Sequence, residues 1–91
     1  MKTEPVLVVD VLGMPVYKGD SILFWEKTFM HEGWLLDVKG SGTPVAIVRR
    51  KSNGKRLLLK LEKKNPHSNT ITSAKIVKTY KGRIEVEDED S

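Results

Sequence analysis

Pro44-Val45-Ala46-Ile47-Val48-Arg49-Arg50-Lys51-Ser52-Asn53-Gly54-Lys55-Arg56-Leu57-Leu58-Leu59-Lys60-Leu61-Glu62 is the stretch that decides the fold. Asn53-Gly54 tolerates the positive φ angles of a two-residue hairpin turn, so residues 44–62 are expected to form one β-hairpin. Along its first arm Val45 and Ile47 alternate with Ala46 and Val48. On its second arm Leu57, Leu59 and Leu61 share one face, and Arg56, Leu58, Lys60 and Glu62 share the other. One side is therefore core and the other largely cationic, with Leu58 the exception on the outer face.

Upstream of the hairpin the pattern stays extended. Val6 to Val9 reads as a short strand closed by Leu12-Gly13-Met14-Pro15, where Pro15 blocks helix. Lys18-Gly19-Asp20 is a second turn, leading into a strand from Ser21 to Trp25 with Ile22 and Phe24 on one face. Gly33 to Val38 follows, with Trp34, Leu36 and Val38 expected together and Asp37 opposed to them, toward water. Gly40-Ser41-Gly42 breaks the chain before Pro44. Downstream, Asn65-Pro66-His67-Ser68-Asn69 is a polar loop and Ile71 to Tyr80 is extended, with Lys81-Gly82 able to turn into Arg83 to Val86. No helix-length stretch carries apolar residues at i, i+3, i+4 and i+7. Five to seven short strands with tight turns imply an all-β chain folded as a small, strongly bent antiparallel barrel, because closing the sheet limits its exposed edges.

Composition sets the outer limits. The chain has 91 residues, of which 38% are apolar, enough for one compact core and too apolar for wholesale disorder. Residues 1–86 are read as the barrel domain, and residues 87–91 as an acidic tail, disordered or the start of a linker. Cysteine is absent, so no disulfide scaffold exists, and His31 and His67 alone supply no structural zinc site. The longest apolar runs fall far short of a membrane span, and Glu4 and Asp10 stand where a signal peptide would be basic and apolar. A cytoplasmic protein is expected, nucleoid-associated if it binds DNA.

The formal charge of +4 conceals a segregation. Residues 1–48 hold four basic and six acidic groups, residues 49–83 hold twelve basic groups against Glu62, and residues 84–91 hold five acids and no base. The three segments thus carry −2, +11 and −5. A partner meets a strongly basic surface and a short acidic end rather than a mildly basic average.

No catalytic constellation accompanies this charge. The histidines are isolated, no serine has a recognisable His and carboxylate, and Asp20, Glu26, Glu32 and Asp37 make no metal-loop pattern. Gly40-Ser41-Gly42-Thr43-Pro44 lacks the lysine and following helix of a phosphate loop. A non-enzymatic protein without cofactor or metal is expected. The hairpin instead places Arg49, Arg50, Lys51, Lys55 and Arg56 around one projecting tip, with Lys60, Lys63 and Lys64 continuing down the second arm and Lys75, Lys78, Lys81 and Arg83 assisting. Such a ridge neutralises phosphates and releases condensed counterions, which gives affinity without base identity. Duplex DNA is the first expected partner and RNA the second. The plainer reading is a solvated hairpin whose lysines protect an edge, but surfaces that serve solubility alone intersperse both signs. The acidic end is read as a solubilising segment, a competitor for the ridge or a linker.

Pro15-Val16-Tyr17-Lys18-Gly19-Asp20-Ser21-Ile22-Leu23-Phe24, followed by Glu32-Gly33-Trp34-Leu35-Leu36-Asp37-Val38, resembles the opening of SH3-like small barrels of the KOW and Tudor type. In that group a Gly-Asp turn leads into a first core strand and a glycine starts the next. The resemblance covers roughly residues 15–62. Its KOW side implies contact with nucleic acid or transcription machinery, including RNA polymerase or the ribosome. Its Tudor side implies a protein-binding adaptor, in which Tyr17, Trp25, Phe29 and Trp34 form a cage for a methylated lysine or arginine, near Glu26 and Glu32. With the small size, it suggests a phage- or bacterium-encoded protein that modifies transcription or organises DNA.

Overall fold

In a computed structural model, which describes residues 5–40, 42–62 and 71–86, the apolar residues of alternating strands are gathered on one side of a five-stranded antiparallel sheet. The strands are β1 (Val8–Val9), β2 (Pro15–Val16), β3 (Asp20–Glu26), β4 (Phe29–Lys39), β5 (Val45–Arg50), β6 (Arg56–Lys60) and β7 (Ile76–Arg83). β1 and β2 form a separate antiparallel pair, and the larger sheet has the order β6-β5-β4-β3-β7. The described residues are all-β. Among them β6 and β7 do not pair, so the closure expected of a barrel is not part of the sheet. Among the described residues no helix is long and apolar enough to cross a membrane.

Val8, Val16, Ile22, Phe24, Leu35, Ala46, Val48, Leu59, Leu61 and Ile76 form the buried core, with Leu7, Val38, Leu57 and Ile71 packed against it. Burying these side chains supplies the main favourable term. The β1–β2 pair adds Val8 and Val16, and Val9 also bridges Thr72 in parallel, which ties the N-terminal segment to the chain leading into β7.

Several expectations change in detail. β4 begins at Phe29, four residues earlier than Gly33, because Lys27-Thr28 closes a tight hairpin in which Glu26 pairs with Phe29. The register of β4 on β5 slips between Leu35 and Asp37, leaving Leu36 as an extra residue. This bulge reverses the alternation. Leu35 faces the core opposite Val48, Val38 faces it opposite Ala46, and Trp34 lies on the other face opposite Arg49. Trp34 and Val38 therefore do not share a face.

The Asn53-Gly54 turn is also longer than two residues. Arg50 N–H donates to the Lys55 carbonyl at 3.0 Å, and Gly54 N–H donates to the Arg50 carbonyl at 2.9 Å, so Lys51–Gly54 form a four-residue loop. Gly54 takes a φ of 70°, whereas Asn53 does not enter the positive-φ region. Instead the Asn53 carboxamide oxygen accepts from Lys55 N–H at 2.9 Å, the local turn bonding for which asparagine suits loops. Lys81-Gly82 does not end its strand either. β7 runs on to Arg83, and a shift between Asp20↔Arg83 and Ile22↔Lys78 accommodates Thr79 to Gly82 as a bulge. The polar loop expected over residues 65–69 and the acidic end at 87–91 lie outside the described residues.

Candidate nucleic-acid interface

The β5–β6 ladder decides where its cations point. Arg50 and Lys55 are hydrogen-bonded at one end, and Leu61 N–H donates to the Pro44 carbonyl at 2.9 Å at the other. In an antiparallel ladder, bonded and unbonded opposite pairs alternate. Val48/Leu57 and Ala46/Leu59 are therefore bonded pairs, whereas Arg49/Arg56, Ile47/Leu58 and Val45/Lys60 stand opposite each other without mutual backbone bonds. The first set carries the core side chains. The second set faces outward, placing Arg49, Arg56 and Lys60 on the outer face of the sheet.

This face extends beyond the hairpin. Ser21 pairs with Trp34, Trp34 with Arg49, and Arg49 with Arg56, one transverse row over four strands. Arg50 and Lys55 occupy the other face at the tip. Among the described residues Arg49, Arg50, Lys55 and Lys60 enter no ion pair. The Nε atoms of Arg49 and Arg50 are buried without a hydrogen-bond partner, although both residues are half-exposed. Their stems lie against the sheet, as long cationic side chains do when their heads remain in water.

Other predicted contacts have intramolecular roles. Lys51 folds back from the loop: its Nζ donates to Ser21 Oγ at 2.7 Å and Glu32 Oε2 at 3.1 Å, and it lies 5.1 Å from the Trp34 ring centre. Lys75 Nζ donates to the Lys60 carbonyl at 2.7 Å. Lys78 Nζ donates to the Pro15 carbonyl at 2.9 Å, lies 3.4 Å from Asp20 Oδ2, and sits over Tyr17 and Tyr80. Arg83 Nε donates to Asp20 Oδ1 at 2.9 Å, and Lys81 reaches Glu32 at 3.1 Å. The hairpin thus gathers Arg49, Arg50, Lys55, Arg56 and Lys60, whereas Lys51 and Lys78 are engaged elsewhere. Lys63 and Lys64 lie outside the described residues.

The acids explain this division. Asp20 is buried and also accepts from Tyr17 N–H at 2.8 Å. Glu32 receives both Lys51 and Lys81, and hydrogen bonds from these two ammonium groups, Lys51 first, hold its carboxyl below the ordinary carboxylate range. Asp10 is almost fully buried and accepts from the N–H groups of Leu12, Met14 and Lys78. Sequence reasoning missed these anchors. Asp20 had a local signal, since an aspartate three residues after Tyr17 can close a turn through its own carboxylate. Asp10 had one as well, since its carboxylate closes the turn through Leu12 and Met14, although its bond to Lys78 N–H comes from a distant strand. Glu32 had none, because Lys51 and Lys81 reach it from other strands and loops.

The aromatic residues are dispersed. Trp25 pairs with Met30 and lies on the outer face with Trp34, whereas Phe29 pairs with Glu26 on the opposite face. Tyr17 carries Lys78 and Arg83 above its ring, and Trp34 carries Lys51. His31 packs 5.6 Å from Phe24, centroid to centroid, and lies 3.6 Å from Glu26. No protein-family model matches the chain, and no curated protein or solved structure is significantly similar to it.

Proposed function

We propose that this chain is a non-enzymatic nucleic-acid-binding protein whose contact surface is the β5–β6 hairpin. The bent sheet is read as an SH3-like fold of the KOW type. Arg49, Arg56 and Lys60 contact phosphates from the outer face, while Arg50 and Lys55 do so from the tip. The observation that carries this reading is the gathering of Arg49, Arg50, Lys55 and Lys60 on one hairpin with no ion pair among the described residues. Each of these cations can neutralise one phosphate and release a condensed counterion. The nearby acids support the same reading, because Glu32 and Asp20 are already held by other cations.

Duplex DNA is the favoured ligand and RNA the second, because a two-stranded β-ribbon fits the major groove, while the outer-face Trp34 already carries an internal cation. Binding is largely independent of sequence, in a cytoplasmic setting of transcription or DNA organisation. The test is fluorescence anisotropy with duplex DNA, single-stranded DNA and RNA of equal length at several salt concentrations. Duplex affinity is expected to fall linearly on logarithmic axes, with a slope of about −0.9 per neutralised phosphate. A flat salt response overturns the proposal, as does binding of a methylated peptide without nucleic-acid affinity.

A further inference from the structure

We infer that the outer edge of β6 docks an extended acidic strand of a partner protein. The ladder alternation places the backbone N–H and C=O groups of Arg56, Leu58 and Lys60 on the side away from β5. Among the described residues no strand pairs with that side. The Lys60 carbonyl accepts from Lys75 Nζ, but the Leu58 N–H and C=O remain directed outward. Leu58 is 68% exposed, beside half-buried Ile47. An edge with outward amides and an exposed apolar side chain is a template for strand addition.

Charge selects the occupant. Arg56 and Lys60 flank Leu58 at a spacing of two residues, so all three side chains project from the same face. A second copy of β6 pairing antiparallel about Leu58 would set Arg56 against Lys60 twice, which disfavours self-association. A strand with an acid, any residue, an apolar residue, any residue and an acid instead places carboxylates opposite Arg56 and Lys60 and its apolar side chain opposite Leu58. This surface overlaps the proposed phosphate contacts at Arg56 and Lys60, but the inference rests on the Leu58 backbone and does not depend on nucleic-acid binding.

The test is a titration of the full chain, followed by backbone amide NMR, with a synthetic Thr-Glu-Thr-Val-Thr-Glu-Thr peptide. Saturable binding is expected, with a large shift and slowed exchange of the Leu58 amide. A lysine-for-glutamate peptide and a peptide N-methylated at valine should each bind at least tenfold more weakly. Leu58→Pro removes the N–H at an edge position where proline is accommodated, and should weaken the peptide at least tenfold while retaining duplex affinity. If that variant does not fold, the N-methylated peptide on the unaltered chain decides the same point. Equal binding of a scrambled peptide, or of the N-methylated one, reduces the interaction to charge attraction and overturns the inference. Peptide binding with no duplex affinity supports the inference while overturning the nucleic-acid proposal.

Discussion

Arg49 on β5 and Arg56 on β6 stand directly opposite each other at a position without mutual backbone bonds, where opposite side chains approach most closely. Both belong to the hairpin to which the proposal assigns the phosphate contacts. Replacing both by serine is therefore expected to weaken duplex DNA binding, with a small loss of thermal stability because the Arg49 stem packs against the sheet. The salt slope should become shallower by about 0.9 for each phosphate contact removed. Anisotropy titrations and thermal melts on the same variant check both halves. Unchanged DNA affinity would place the nucleic-acid surface elsewhere.

Asp10 has a contrasting role. Its buried carboxylate accepts three backbone N–H groups, two from the β1–β2 turn at Leu12 and Met14 and one from Lys78 in β7. Asp10→Ala leaves these donors without that partner, and is expected to lower unfolding free energy by about 3 kcal/mol, since each bond to a charged acceptor contributes roughly 1.5–3 kcal/mol and the three are coupled. Asp10→Asn should lose less because one oxygen acceptor remains. Urea unfolding of the two variants gives the comparison.

These two relationships show what short-range pattern can and cannot carry. The Leu57, Leu59, Leu61 face was legible because strand alternation is local, and Leu59 and Leu61 are buried while Leu58 is exposed. The gathering of Arg49 and Arg56 followed from recognising one hairpin. The Leu36 bulge was not legible, because Trp34-Leu35-Leu36-Asp37-Val38 offers apolar residues in either phase and only pairing with β5 selects one. Lys51 and Lys78 resembled their neighbours in composition, but their internal roles depend on Glu32 and Asp20, fixed by strand order rather than spacing.

Lys27 offers a test of local strain. It occupies the two-residue β3–β4 loop with a φ of 57°, the sole positive φ among described non-glycine residues. The left-handed conformation costs a side-chain-bearing residue about 1–2 kcal/mol, and glycine's greater unfolded freedom offsets roughly 0.5–1 kcal/mol of the gain from replacement. Lys27→Gly is therefore expected to stabilise the fold by about 0.5 kcal/mol. A raised urea midpoint with unchanged slope checks this; a lower midpoint contradicts the strain argument.

Glu32 gives a pH dependence of defined sign. Hydrogen bonds from Lys51 and Lys81 lower its pKa in the folded state. The resulting contribution to stability is present above the ordinary glutamate pKa and disappears as pH falls through the lowered folded value. The site is partly exposed, so the effect is modest and weakens with salt. Glu32→Gln should melt below the unaltered protein at neutral pH, with the gap closing in acid. A gap that widens on acidification would contradict the assignment of the carboxylate to these two cations.

Gly33 links core packing to the proposed surface. It is buried on β4 opposite Arg50, and its φ lies outside the positive range, so backbone freedom does not explain it. A Cβ at this position would strike the Arg49 carbonyl oxygen and lie 3.0 Å from Phe24 Cε1 and 3.1 Å from Val48 Cγ1. Gly33→Ala must push β5 from β4 or displace the Phe24 ring, and overpacking of this kind costs about 1–3 kcal/mol. Gly54 provides the control, because its φ is 70° and nothing lies within 4 Å of a Cβ built there. Space limits Gly33 and backbone conformation limits Gly54. Asparagine, which tolerates the left-handed region, should therefore substitute for Gly54 with little loss, whereas Gly33→Asn should be worse than Gly33→Ala. Urea unfolding of Gly33→Ala, Gly33→Asn, Gly54→Ala and Gly54→Asn tests that crossing of rank order. The crossing would disappear if β5 simply moved away to admit the side chain at Gly33.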